Sequence, residues 1–419
     1  MKFKKSKTLL ILFAFCAVAF FTNDFQLINI EKTAIIVAMG IDKQGEQLEV
    51  TVQVALPQAS NQNVSNSDAL ISAKDKTLYG ALENLSLQTG WYPKLTFCNL
   101  ILLDEELVKD DFMPIVDYLL TSSRFQNSAV IACCEKKAKE VLAMTTPLDF
   151  ISSFALQKIL LRNLDRSSSV LVLDVRKFCA QARSPSALCY MPIVKGIQTD
   201  DKPKGDSSGG QGSQNSQSLN YPTLLASGDG SSSSSGGGAE NGSSNGAGQN
   251  KPYLFEASST IFIQDNKYCL TLISEQTHCY NLLTKEIKEA FIPVNIEKEG
   301  KQTQTLISLV TNKPKLKLKI NNGKPVVDIT LTLTCEKENS QNNVGDNPLK
   351  LTNKELDALS KKTTEDINEL IALSREKNCD LFGIKELLYQ TQSKHYYSFK
   401  DDIIRLADYN VKVNSKNYR

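Results

Sequence analysis

The chain has 419 residues, 41% hydrophobic and 22% charged, an ordinary globular composition that excludes a collagen-like, wholly disordered or polytopic membrane protein. Lys and Arg total 48 against 46 Asp and Glu, so the net charge is +2 and no basic excess points to nucleic acid. Two histidines, His278 and His395, are too few for a multi-His metal centre and make His-based general-base chemistry a poor expectation.

The first element is an export signal. Lys2, Lys4, Lys5 and Lys7 precede an uncharged apolar run over residues 8–21. As a helix that run spans roughly 21 Å, short of the ~30 Å hydrocarbon core. A basic start and a short apolar run are the pattern of a secretory signal, and Ala17-Val18-Ala19 offers a cleavage site. An uncleaved anchor over residues 9–21 is the alternative. A lipid on Cys16 is a third reading, which the bulky Phe13-Ala14-Phe15 before it fits poorly. The lysines hold the N-terminus inside, so the rest of the chain is expected outside the cytoplasm. Residues 1–23 are therefore assigned to a signal peptide or membrane anchor.

A first folded block is expected over residues 24–198. Residues 33–41 form a nearly continuous apolar run, as in a buried strand. After a turn at Lys43-Gln44-Gly45-Glu46, residues Leu48, Val50, Val52, Val54 and Leu56 alternate with polar ones, which predicts a hairpin. Leu78, Ala81, Leu82 and Leu85 share a helical face. A strand is predicted over 97–103. An amphipathic helix follows through Phe112, Ile115, Val116, Leu119 and Leu120, with Pro114 in its first turn. Further predictions are a strand over 128–133, a helix over 135–143, a longer helix over 148–164 and a strand over 170–175.

Residues 199–250 carry a Gly/Ser-rich tract with little apolar content, and are predicted to be a disordered linker. A flexible chain of that length has an end-to-end distance of about 40 Å. The second block, 251–419, opens with strand-like runs over 254–263 and 268–273 around Gln264-Asp265-Asn266-Lys267. Leu316, Leu318 and Ile320, then Val327, Ile329, Leu331, Leu333 and Cys335, alternate on either side of Asn321-Asn322-Gly323, a strong hairpin signal. The hairpin's outer face is Lys on one strand and Thr on the other. Thr352-Asn353-Lys354-Glu355 is a capping box that starts a long helix with Leu356, Leu359, Thr363, Ile367, Leu370 and Ile371 on one side. A short closing strand is predicted over 409–413. The fold class is α+β: a multi-domain mixed α/β chain with antiparallel-rich sheets, in two folded blocks joined by the linker.

Chemistry-bearing patterns are sparse. Nine cysteines lie beyond Cys16, and no C-x-x-C pair suggests a zinc ribbon or a thioredoxin-type site. Most sit in apolar runs and read as small buried hydrophobes. Cys269 and Cys279 are candidates for a disulfide if their flanking strands pair. Asp104-Glu105-Glu106 and Asp110-Asp111 read as acids at helix starts rather than metal ligands. Lys313, Lys315, Lys317 and Lys319 read as a lysine-protected edge strand rather than an anion site. His278 and Cys279, adjacent on an expected strand, point to opposite faces. No catalytic, cofactor-binding or metal-ligating residue is assigned, and no cofactor is expected.

The ordered set of stretches resembles the Ger(x)C family, the C subunits of spore germinant receptors in the GerAC-like lipoprotein group. The residues that carry the resemblance begin with Ile30-Glu31-Lys32-Thr33-Ala34-Ile35-Ile36-Val37-Ala38-Met39-Gly40-Ile41-Asp42-Lys43. They continue with Lys76-Thr77-Leu78, with Asp117-Tyr118-Leu119-Leu120 followed by Arg124, and with Asn378-Cys379-Asp380-Leu381-Phe382-Gly383. The family's lipobox cysteine would fall near Asn23-Asp24-Phe25, where this chain has none, so the 9–21 segment stands as a substitute anchor. The resemblance implies a non-enzymatic subunit on the outer face of the spore inner membrane, beside integral membrane subunits A and B. It implies a role in nutrient-triggered germination through protein contacts. The rivals are an extracytoplasmic hydrolase, for which no convergent polar cluster is evident, and a solute-binding protein, which would need repeated β-α-β crossovers in two lobes.

Overall fold

The computed structural model describes residues 13–15, 33–55, 70–147, 149, 151–162, 169–198, 253–298, 301–337 and 350–418. Most of the expected signal or anchor and the whole 199–250 tract lie outside the described residues. Among the described residues, no helix is long and apolar enough to cross a membrane.

The first sheet is mixed, with ten strands. Its strands are β1 (Thr33–Gln44), β2 (Gln47–Val54), β3 (Leu70–Asp75), β4 (Tyr92–Lys94), β5 (Leu100–Asp104), β6 (Val130–Cys134), β7 (Leu173–Asp174), β8 (Leu188–Gln198), β9 (Tyr253–Gln264) and β10 (Lys267–Leu272). The order along the sheet is β10-β9-β8-β6-β5-β1-β2-β3, with β4 paired to β1 and β7 to β6. The centre, β1-β5-β6-β8, is parallel, and the hairpins β1–β2 and β9–β10 are antiparallel. The helices here are α1 (Leu78–Thr89), α2 (Glu105–Val108), α3 (Met113–Thr121), α4 (Ala138–Ala143), α5 (Ser152–Arg162) and α6 (Val175–Ala182).

The unbroken apolar runs of the central strands follow from coverage on both faces. Met39, Ile41, Ile101, Leu103, Ile131 and Cys133 face one core with α1, α3 and α6. Ala38, Leu100, Leu102, Val130, Ala132 and Cys134 face a second core with α4 and α5. Successive residues thus serve opposite layers.

The second sheet runs β11 (Ala290–Lys298), β12 (Lys301–Asn321), β13 (Lys324–Lys337) and β14 (Asp408–Asn417) in that order. The first three form an antiparallel meander and β14 adds in parallel to β13. The predicted hairpin is present: Asn322 and Gly323 take φ 49° and 75°, as a type I′ turn requires. Lys315 stands opposite Thr330 and Lys313 opposite Thr332, as the alternation implied. Helices α7 (Ser274–Thr284), α8 (Asn353–Lys377), α9 (Ile384–Thr391), α10 (Tyr396–Phe399) and α11 (Ile403–Leu406) complete this half. The capping box on α8 forms both ways: Thr352 Oγ1 accepts from Glu355 N, and Glu355 accepts from Thr352 N at 2.8 Å.

Several expectations change. The β9–β10 hairpin, expected to open the second block, extends the first sheet by pairing along β8. Phe262 of β9 meets Tyr280 of α7 edge to face with ring centroids 5.0 Å apart, and Leu188, Phe262 and Leu270 share one core with the second sheet. The compositional break at 199–250 therefore interrupts a sheet rather than separating two. The strand predicted over 170–175 shrinks to Leu173–Asp174, because Asp174 caps α6 by accepting from Lys177 N at 2.7 Å. His278 and Cys279 lie on helix α7, not on a strand. The closing strand is longer than predicted, reaching Asn417. All nine cysteines beyond Cys16 are free, and the Cys269 thiol meets Cys379 rather than Cys279.

Gly40 explains a close approach. A Cβ there would stand 2.9 Å from the Ala138 Cβ and 3.1 Å from the Leu142 Cδ1, so α4 rests directly on the β1 backbone. Gly40→Ala is expected to push α4 outward and to cost about 1–3 kcal/mol, read by chemical denaturation. An unchanged midpoint would show that the helix can shift freely.

Candidate functional site

A concave surface of the first half lies between the β1–β2 turn, the start of α1 and one side of α3. A cavity of about 580 Å³ is lined there by Lys43, Leu48, Lys76, Thr77, Asp110 and Tyr118, among others. A smaller cavity of about 250 Å³ continues it past Glu83, Tyr92 and Arg124. Tyr79 and Tyr118 line both and meet edge to face with centroids 6.5 Å apart, so the two form one groove.

The groove is built by local rules. Thr77 caps α1, accepting from Gly80 N at 3.0 Å, and its own N–H is held by Asp75. Gly90, in the left-handed region at φ 69°, ends the same helix. Pro114 lies in the first turn of α3, where its missing N–H costs nothing. Lys43 pairs with Asp110, whose carboxyl is held below its ordinary range by that bond. Arg124 stacks over Tyr92 at 5.3 Å. Three of the stretches singled out in the sequence thus converge: Lys43, Lys76-Thr77-Leu78, and Tyr118 with Arg124. Their convergence is invisible in the sequence, because 33 to 42 residues separate consecutive stretches.

Beside the groove, Asp104 does what an acid at a helix start does, accepting from Leu107 N at 2.9 Å. It also accepts from Lys43 N at 3.0 Å and pairs with Lys137 at 2.5 Å; Glu106 takes the same ammonium at 2.7 Å. Burial alone would lower the Lys137 pKa, but these bonds outweigh it and hold it above the usual lysine range. Asp42 is buried and accepts from the backbone N–H of Ala138 (2.6 Å) and of Lys139 (2.9 Å). It thereby caps α4, which has no side-chain cap of its own. Desolvation pushes the Asp42 carboxyl up to about 6, against the pull of those two amides. The arrangement is helix-anchoring.

The last stretch, residues 378–383, forms a buried clasp between the two halves. Asp380 accepts from Ser186 Oγ at 2.8 Å and from Ile384 N and Lys385 N at 2.6 and 2.9 Å. Its own N–H donates to Gln264 Oε1 at 2.6 Å. Ser186 precedes β8 and Gln264 ends β9, so one carboxylate both caps α9 and grips the first sheet. Asn378 ends α8 in the left-handed region, φ 51°, and Gly383 opens α9 at φ 64°.

Other candidates fall in place. The lysines at 313, 315, 317 and 319 are exposed on a stretch of β12 that β13 pairs on one side and β11, ending opposite Leu309, does not reach. Pro314 is tolerated there for the same reason. His278 is buried, which lowers its pKa to about 4. Among the described residues, no three His, Cys, Asp or Glu side chains group as a metal site.

Comparison with known proteins matches residues 27–196 to a family described as spore germination protein N-terminal domain. Residues 257–417 match a family described as spore germination B3/GerAC like, C-terminal. The fold is similar to the crystal structure of the GerBC protein, with a TM-score of 0.50 and 14% identity over 91% of this chain and 97% of that one. No curated protein sequence matches.

Proposed function

The chain belongs to the GerAC-like family of spore germination proteins, and from that premise we propose that it is the C subunit of a germinant receptor, held at a membrane and acting by protein contact rather than catalysis. The observation that carries the reading is the pair of family matches, which together take in both halves of the fold. Its partners are integral membrane subunits A and B, and its place is the outer face of the spore inner membrane. Residues 1–23 are the proposed tether, 24–198 and 251–419 the two GerAC-like parts, and 199–250 the linker. The acids and cations near the groove are mostly committed to capping helices and to one another, which supports a non-catalytic role without a cofactor.

The groove between α1 and α3 is the surface we assign to partner contact, since it gathers three of the stretches that carry the resemblance. Full-length tagged protein extracted with detergent from spore membranes is expected to bring down two polytopic proteins. Removing the chain is expected to abolish the response to nutrients. Tyr79→Glu, at a side chain 53% exposed in the groove, is expected to weaken the co-purification while leaving the denaturation midpoint unchanged. A chain that stays in the soluble fraction, with normal nutrient response in its absence, would return the solute-binding and hydrolase readings.

A further inference from the structure

The tryptophan of this chain, Trp91, is its sole one and lies 49% exposed at one end of the first sheet. Gly90 turns the chain out of α1 immediately before it. Trp91 leads into β4, which pairs in parallel with the first residues of β1: Thr33 opposite Tyr92, Ala34 opposite Pro93, Ile35 opposite Lys94. Trp91 therefore stands beside the point where the chain enters β1. Ile35 is 41% exposed on β1, and its register partner Lys94 reaches over the ring of Phe97, itself 48% exposed, at 5.7 Å. Arg124 adds a second cation over Tyr92.

This edge thus carries an indole, a phenyl ring and a branched aliphatic side chain, interleaved with an ammonium and a guanidinium. Aromatic side chains with one apolar and one polar aspect, and cations with long apolar stems, are the residues that settle at a membrane–water boundary. Its position agrees with that chemistry. Thr33 follows the last residue of the apolar run, Phe21, by twelve residues. That length holds the edge within about 43 Å of the run's end, however extended the connection.

We propose that the Trp91 edge, with Ile35, Lys94 and Phe97, seats on the phospholipid surface, so that the first sheet stands end-on to the membrane with the start of β1 lowermost. The inference rests on the membrane-held reading above and adds which surface of the protein meets the lipid.

The test uses full-length protein reconstituted into vesicles of phosphatidylethanolamine and phosphatidylglycerol, with flotation and Trp91 fluorescence read on the same sample. The protein is expected to float. Trp91 emission is expected to move to shorter wavelength and to lose most of its intensity to lipids brominated near the headgroup, less to those brominated at the chain end. Phe97→Glu is expected to keep the denaturation midpoint and the flotation while reducing the quenching. Protein that floats with water-like, unquenched emission would overturn the proposed edge and leave the membrane attachment standing. Protein that does not float would overturn both. A shift that occurs only when the two integral membrane subunits share the vesicle would assign the edge to protein contact and overturn the lipid proposal.

Discussion

Asp380→Ala is expected to cost the protein about 3–5 kcal/mol and to separate the unfolding of its two halves. Asp380 is fully buried, and its carboxylate serves two backbone N–H groups of α9 and the Ser186 hydroxyl. Truncation leaves two buried donors and the half-buried Lys385 N–H without that acceptor, each buried one a penalty of about 1–3 kcal/mol, offset in part by no longer burying a charge. Desolvation already holds the Asp380 pKa above its ordinary value, so the three donors are what retain the group. Ser186→Ala removes one of the three donors to Asp380 and also the acceptor of the Glu386 N–H at 3.2 Å, and is expected to cost about 1–2 kcal/mol. In a double-mutant cycle the two losses are expected to fall short of additivity, since the Ser186–Asp380 bond is counted in both.

The distinctive readout is cooperativity. The wild type shares one core between Leu188, Phe262 and Leu270 on the first-sheet side and Ile329, Leu331 and Ile371 on the other, so a single denaturation transition is expected. Asp380→Ala removes the polar grip that orients α9 on the β8–β9 edge, and two transitions are expected. A variant within about 1 kcal/mol of wild type, unfolding in one step, would show that the apolar contact alone joins the halves.

What the sequence made legible, and what it did not, follows from the range of the interactions. The β12–β13 hairpin, the α8 capping box and the β1–β2 hairpin rest on contacts within about 30 residues, where periodicity and turn chemistry act directly. Strand β8 is not legible locally, because its longest pairing, with β9, lies beyond the whole 199–250 tract, and its parallel contact with β6 reaches back about sixty residues. Helix α7 has the residues Thr277-His278-Cys279-Tyr280, which suit a strand. It is helical because Cys279, Tyr280, Leu282 and Leu283 all turn into the core shared with Phe262. The start of α6 was available: Asp174 before a Val-Arg-Lys run is a capping signal that the apolar stretch before it masked. The Asp-Leu-Phe-Gly stretch was visible as a resemblance, while its reason, a carboxylate aimed at Ser186 across 194 positions, is a tertiary fact.

Asp42 gives the clearest pH dependence. Its carboxyl has an ordinary value of 3.8 and stands at about 6 in the folded protein, with desolvation as the leading cause and the nearby Asp104 adding to it. Lys137 and the two amides of α4 act in the opposite direction. A carboxyl harder to ionise when folded means that the native state holds the extra proton between those two values. The stability it contributes is therefore complete below about 3.8 and is lost as the pH rises through about 6. Asp42→Ala strips two buried N–H groups of their acceptor and is expected to cost about 2 kcal/mol near neutral pH. The cost is expected to grow as the pH is lowered toward 4, the reverse of what loss of an ordinary surface carboxylate would do. Chemical denaturation of both proteins at several pH values between 4 and 7, with the Asp42 carboxyl followed by carbon NMR, reads both quantities. A difference that stays flat across this range, or a carboxyl that titrates near its ordinary value, would mean that the two amides of α4 balance the cost of burial. The β1–α4 contact made by Gly40 and Asp42 would then be held equally well at every pH in the range.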